Sequence, residues 1–130
     1  MKVLIISDTH GKSSCLKQIH DIVGDVDMLI HLGDVEGDEK LIHDLFDCEI
    51  HMVRGNCDYN PELPIYDEFN IGDKRAFITH GHRYSVNSGI SYLEELIDLE
   101  GYDFVMYGHT HRRDLTCYKD CLLYTSPSPR

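Results

Sequence analysis

Five short stretches of the chain carry side chains able to ligate metal ions: Asp8-Thr9-His10, Gly33-Asp34, Gly55-Asn56-Cys57-Asp58, Thr79-His80-Gly81 and Gly108-His109-Thr110-His111. Carboxylate, amide and imidazole groups are donors for divalent first-row ions. In Asp8-x-His10 a spacing of two puts a carboxylate and an imidazole on one side of an extended backbone, so both converge on one point. Taken singly, Asp-x-His or Gly-Asp reads far more readily as a loop or a cap, and a His-x-His pair reads equally well as structural. Their shared context is more informative, because each follows an apolar run that reads as a strand, and adjacent glycines let the backbone turn sharply there.

The elements that must position them alternate. Met1 to Ser7 is an apolar, β-branched strand, followed by a helix capped by Ser13 or Ser14 with Leu16, Ile19, Ile22 and Val23 on one face. Val26 to Leu32 is a second buried strand, Asp38 to Phe46 a weaker helix, and Glu49 to Arg54 a third strand. Continuous apolar strands separated by helices imply a mainly parallel sheet covered on both faces. Beyond Pro61 and Pro64, Ile65 to Ile71 and Arg75 to Thr79 read as a hairpin about Gly72-Asp73-Lys74. A third helix follows Asn87-Ser88 with Ile90, Leu93, Leu96 and Ile97 inward; strands at Asp103 to Tyr107 and Leu115 to Lys119 complete the pattern. Sites in open α/β sheets form at the strand ends, which is where the five stretches fall.

The chain has 130 residues, enough for one domain and one site. Asp and Glu number 23 against 12 Lys and Arg, a net charge of -11, which argues against a nucleic-acid or anionic-membrane surface. No run approaches the ~20 apolar residues of a bilayer span, and the N-terminal run is too short and too soon acidic for a signal peptide, so a cytoplasmic, soluble protein is expected. Five cysteines without a C-x-x-C pair form neither a disulfide framework nor a zinc knuckle. His20, His43 and His51 read as surface or satisfied core residues, whereas His31, just before Asp34, is ambiguous.

In this order the five stretches resemble the signature of the calcineurin-like metallophosphoesterases, D-x-H, G-D, G-N-H-[DE], H and G-H-x-H. The small single-domain phosphodiesterase branch of bacteria and archaea, where the third motif reads G-N-C-D, is the most similar. The resemblance covers residues 1–120. It implies a four-layer αββα sandwich with the metals at the strand ends. It also implies that Asp8, His10, Asp34 and His111 hold one ion and Asp34, Asn56, His80 and His109 a second, with Asp34 bridging. The ions expected are two divalent cations, manganese first, with nickel, zinc or iron open. The implied activity is hydrolysis of small phosphodiesters by a hydroxide bridging the two ions, in a monomer or small homo-oligomer. The alternatives are a phosphomonoesterase or nucleotide phosphatase, and a non-catalytic binding scaffold on the same fold.

The pattern departs from the superfamily at Cys57, where a histidine is the usual proton donor. Cys57 is then a weak acid or a packing residue, and packing is preferred. His82 is a candidate to contact the leaving group or substrate, or to support His80. Asp58 is expected to orient its loop, and Arg54 to contact phosphate or form a surface ion pair. The last ten residues, Cys121 to Arg130, resemble a translated sequencing adapter and are set aside from fold reasoning, leaving residues 1–120 as a domain cut off at its C-terminus.

Overall fold

Alternate side chains along the apolar strands point to opposite layers, and this decides the architecture. The computed structural model describes residues 1–82, 91–110, 114–118 and 121–125. Val3–Ile6 (β1), Met28–His31 (β2) and Glu49–Met52 (β3) pair in parallel in the order β1-β2-β3. Two helices, Ser13–Val23 (α1) and Glu39–Leu45 (α2), cover one face of this sheet: Leu16 and Ile42 pack with Ile6, Leu29 and Met52. Each such side chain, withdrawn fully from water, contributes about 1.5–3 kcal/mol. The other face carries Met28 and Ile30 toward a second sheet.

That second sheet has five strands: Tyr66–Ile71 (β4), Lys74–Thr79 (β5), Phe104–Tyr107 (β6), Asp114–Tyr118 (β7) and Cys121–Thr125 (β8), in the order β4-β5-β6-β8-β7. Ala76, Ile78 and Met106 face the first sheet, while Phe77, Val105, Tyr107 and Leu123 face the helix Ser91–Glu100 (α3), which buries Leu93 and Ile97. Three apolar clusters thus separate four layers, an αββα sandwich.

This is the fold that the resemblance implies: β1-β2-β3 form the mainly parallel sheet, and β4 turns back on β5 as the expected antiparallel hairpin and opens the second sheet. The start of the first helix differs from expectation. Ser13 is the first residue of α1, the cap position is Lys12, and no side chain caps the end. Cys121–Thr125, set aside as tail, form β8, parallel to β6 and antiparallel to β7. Their alternation explains it: Cys121 and Leu123 are buried toward α3, and Tyr124 packs toward the first sheet. Asn87, Ser88 and Ile90 lie outside the described residues. Among the described residues, no helix is long and apolar enough to cross a membrane.

Candidate metal centre

Asp8 follows β1, Asp34 follows β2, Asn56 follows β3, His80 follows β5 and His109 follows β6, so all five loops open at one edge of the sandwich. The backbone there is not extended. Asp8, His10, Asp34 and His109 take φ of 55°, 50°, 58° and 66°, and Glu36 takes 54°; these are the only non-glycine residues with positive φ among the described residues. Left-handed turns, and not strand alternation, therefore aim Asp8 and His10 at one point. Such conformations are uncommon for residues with a Cβ and concentrate at functional sites. Two glycines make room for the ligands. A Cβ on Gly55 would overlap the Asp34 carboxylate, and one on Gly108 would overlap the Ser7 hydroxyl and sit 2.9 Å from Asp8 Oδ2.

Asp8 and Asp34 are buried. Asp34 Oδ2 faces His80 Nε2 at 3.3 Å and His10 Nε2 at 3.7 Å, while its Oδ1 accepts the Cys57 N–H at 2.9 Å. Asp8 Oδ1 lies 3.7 Å from His80 Nε2, and Oδ2 accepts from the Ser7 hydroxyl and, at 3.2 Å, from the His109 N–H. His80 Nε2, His109 Nδ1 and Asn56 Oδ1 stand 3.0–3.1 Å from one another. Three donor atoms this close together could share one ion with bonds of about 2.1 Å. Asp34 joins both groups of three ligand atoms lying within 4.8 Å of one another, Asp8–Asp34–His80 and His10–Asp34–Cys57. The donor set fits divalent cations.

Outer partners fix which imidazole nitrogen faces inward. His80 Nδ1 donates to the Leu32 carbonyl at 2.8 Å and His10 Nδ1 donates to the Glu36 carboxylate at 2.9 Å, so each Nε2 is turned to the cluster. Burial works to lower the pKa of His80, but the hydrogen bond and charge of Asp34, with the charge of Asp8, outweigh it and raise that pKa above its usual value. Burial works to raise Asp34, yet His80, the Cys57 N–H and His10 hold the carboxyl below the usual carboxylate range. Without an ion, the Asp34 carboxylate favours the protonated form of His80.

The remaining candidates occupy distinct places. Asp58 accepts three backbone N–H bonds, from Asp34, Gly55 and Glu36 at 2.9, 2.8 and 2.6 Å, and so ties the second loop to the third. Burial, followed by the charges of Asp34 and Glu36, pushes the Cys57 thiol up. The His82 ring lies 5.5 Å from that of His80 and 6.2 Å from that of His109, at the rim. Arg54 is half-buried; its N–H donates to the Pro64 carbonyl, and its guanidinium makes no hydrogen bond or ion pair among the described residues. His111 lies outside the described residues.

Sequence reasoning missed Glu36, which no motif marks, and left His31 open. His31 is fully buried, with Nδ1 accepting the Gly33 N–H at 3.1 Å and Nε2 2.9 Å from Thr9 Oγ1. It pins the first two ligand loops together, and burial, followed by the charge of His80, pushes its pKa down to about 3. His20 packs edge-on to Phe46, and His51 stacks on Phe69 beside Asp67.

A sequence profile of the calcineurin-like phosphoesterase superfamily domain matches residues 1–127. The chain belongs to this superfamily. Among its relatives, a probable metallophosphoesterase of Bacillus subtilis (strain 168), YsnB, is 31% identical over 85% of this chain and 64% of its own length. A phosphodiesterase of Methanocaldococcus jannaschii is 34% identical over 87% of this chain and 75% of its own. The crystal structure of a predicted phosphoesterase from Streptococcus pneumoniae superposes with a TM-score of 0.84 at 28% identity, covering 99% of this chain and 75% of that one. This phosphoesterase domain thus spans just under two thirds of the length of the Bacillus relative. The superfamily implies divalent metal ions, and the donor set here has groups that could hold them.

Proposed function

We propose that the chain carries the catalytic centre of a phosphodiesterase that acts on small phosphorylated substrates with two divalent ions. The observation that supports it best is the position of Asp34, whose carboxylate belongs to two overlapping groups of ligand atoms. Two cations side by side need a shared anion between them, and a buried carboxylate turned to both groups is suited to that place. Asp8, His10 and Asp34, with His111, would hold one ion; Asp34, Asn56, His80 and His109 would hold the other. The ions, when bound, supply Lewis acidity at the phosphoryl oxygens and a water acidic enough to attack at neutral pH.

The chain's own groups do the rest. Glu36 and the Leu32 carbonyl engage the Nδ1–H groups of His10 and His80, which leaves Nε2 as the nitrogen turned to an ion in each ring. Asp58 holds the Asn56 loop against Asp34. Cys57, whose thiol is held protonated by burial and by Asp34, is a poor proton donor to a leaving alkoxide. His82, whose ring lies 5.5 Å from that of His80, is assigned to contact the leaving group or the phosphate. The donors handle the phosphate and not its substituents, and manganese is the first ion to supply.

Replacing Asp34 with Asn tests the reading. Equilibrium dialysis should show both ions lost from tight binding, and hydrolysis of bis(4-nitrophenyl) phosphate with manganese should fall by at least about a thousandfold. Full activity of Asp34→Asn would refute the shared-carboxylate site. Faster turnover of 4-nitrophenyl phosphate than of the diester would favour a monoesterase. Ion binding with no turnover of either ester would favour a scaffold.

A further inference from the structure

The reading above leaves the Cys57 thiol without a task, although its sulfur is placed among ligand atoms. Cys57 Sγ, an imidazole nitrogen of His10 and a carboxylate oxygen of Asp34 all lie within 4.8 Å of one another. Two donors on one tetrahedral ion, with a sulfur bond of about 2.3 Å and a nitrogen bond of about 2.1 Å, stand about 3.6 Å apart, so atoms already within 4.8 Å of one another need close by about 1.2 Å at most to share an ion. The backbone carrying the thiol is fixed to the same carboxylate, through the Cys57 N–H to Asp34 Oδ1 at 2.9 Å. Asp58 holds that loop from its other side through Gly55 and Asp34. The second group of ligand atoms, Asp8–Asp34–His80, contains no sulfur.

We propose that Cys57 is a conditional metal ligand that joins His10 and Asp34 around a thiophilic divalent ion and stays out of the coordination sphere of an oxygen-preferring one. This rests on the reading of the cluster as a metal centre and adds a selectivity to it. Soft sulfur ligands favour zinc and cadmium, whereas manganese and magnesium favour oxygen. The two halves of the centre then differ in chemistry, the His10 half accepting thiophilic ions and the His80 half holding only nitrogen and oxygen donors. Coordination balances as thiol plus M2+ giving a sulfur–metal bond and one proton, which leaves to the buffer through the half-exposed mouth.

The test uses the metal-stripped protein, cadmium and cobalt as probes, and two variants, Cys57→Ser and Cys57→Ala, whose folding is checked by circular dichroism. Bound metal is counted by mass spectrometry after gel filtration, and coordination by sulfur is read as thiolate-to-metal charge-transfer absorption. The wild-type protein should develop the absorption on binding cadmium or cobalt, and both variants should lack it. Cadmium affinity should fall about tenfold or more in the variants, while manganese affinity should change by less than about threefold. Bound cadmium without the absorption, or the same absorption in the variants through Cys15, Cys48, Cys117 or Cys121, overturns the proposal and leaves the metal centre standing. No bound ion of any kind overturns both.

Discussion

His31 links the architecture to acid stability in a way that can be measured. Its imidazole is fully buried, accepts the Gly33 N–H and bonds to Thr9, and its pKa is pushed down to about 3. In the unfolded chain a histidine titrates near 6.5. Between these values the unfolded state binds a proton that the folded state refuses, so stability rises with pH across this window and falls as the solution is acidified. Nothing is lost above about pH 6.5, and each unit below it costs about 1.4 kcal/mol, or about 2.7 kcal/mol at pH 4.5. That is a large share of the 5–15 kcal/mol typical of a domain. The perturbation is His31→Gln, neutral at every pH, with urea unfolding followed at pH 6.5 and 4.5 in the presence of a chelator. Because the other groups titrate in both proteins, the loss between the two pH values should be smaller in the variant by about 2.7 kcal/mol. With a urea m-value of about 1.5 kcal/mol per M, this moves the midpoint by about 1.8 M. Equal losses in the two proteins would refute the claim that folding holds this imidazole neutral, even if the variant is less stable throughout.

Other expectations follow from the same geometry. Glu36→Gln leaves His10 in place but weakens the acceptor behind it, and should reduce manganese affinity about 10- to 100-fold by equilibrium dialysis while the circular dichroism spectrum is unchanged. Gly55→Ala drives a methyl group into the Asp34 carboxylate and should abolish tight ion binding, again by dialysis, with a destabilisation of about 1–3 kcal/mol in urea. Leu123→Ala opens a hole between β8 and α3 and should cost about 2–5 kcal/mol in urea unfolding. Because ion binding must displace the proton that the raised pKa keeps on His80, manganese affinity measured by dialysis should increase with pH through that raised value and level off above it.

Most of the layering was legible in the sequence because buried strands must be apolar. Val3–Ile6, Met28–His31 and Phe104–Tyr107 announce themselves as short apolar runs, and Gly72 marks the β4–β5 turn. The ligand stretches were legible because their residue types are rare in combination and fall after those runs. What was not legible depends on contacts between loops. Glu36 lies outside every motif, and only the folded loop brings it to His10. The fate of His31 depends on Thr9 and Gly33, which come from two different strand ends. The convergence of Asp8 and His10 was expected from spacing, whereas the positive φ of both residues produces it. β8 was not read because Cys121 to Arg130 are set aside for their resemblance to a translated adapter, a reading that the pairing of Cys121–Thr125 with β6 and β7 does not bear on.

The left-handed backbone at Asp8, His10, Asp34 and His109 sets a limit on how stable this domain can be while it keeps its chemistry. A residue with a Cβ in that region is disfavoured by about 1–2 kcal/mol, less for Asp than for bulkier types, so the four together store several kcal/mol in the loops. Glycine at any of them would release part of that energy and remove a donor. Under the proposed function, thermal robustness and hydrolysis would therefore pull on the same four positions in opposite directions. Divalent ions moderate the conflict, since they bind the folded arrangement and repay the strain by mass action. If the proposed two-ion centre holds, loss of metal would leave the domain both inactive and easier to degrade, so its abundance would follow metal supply without any dedicated regulator.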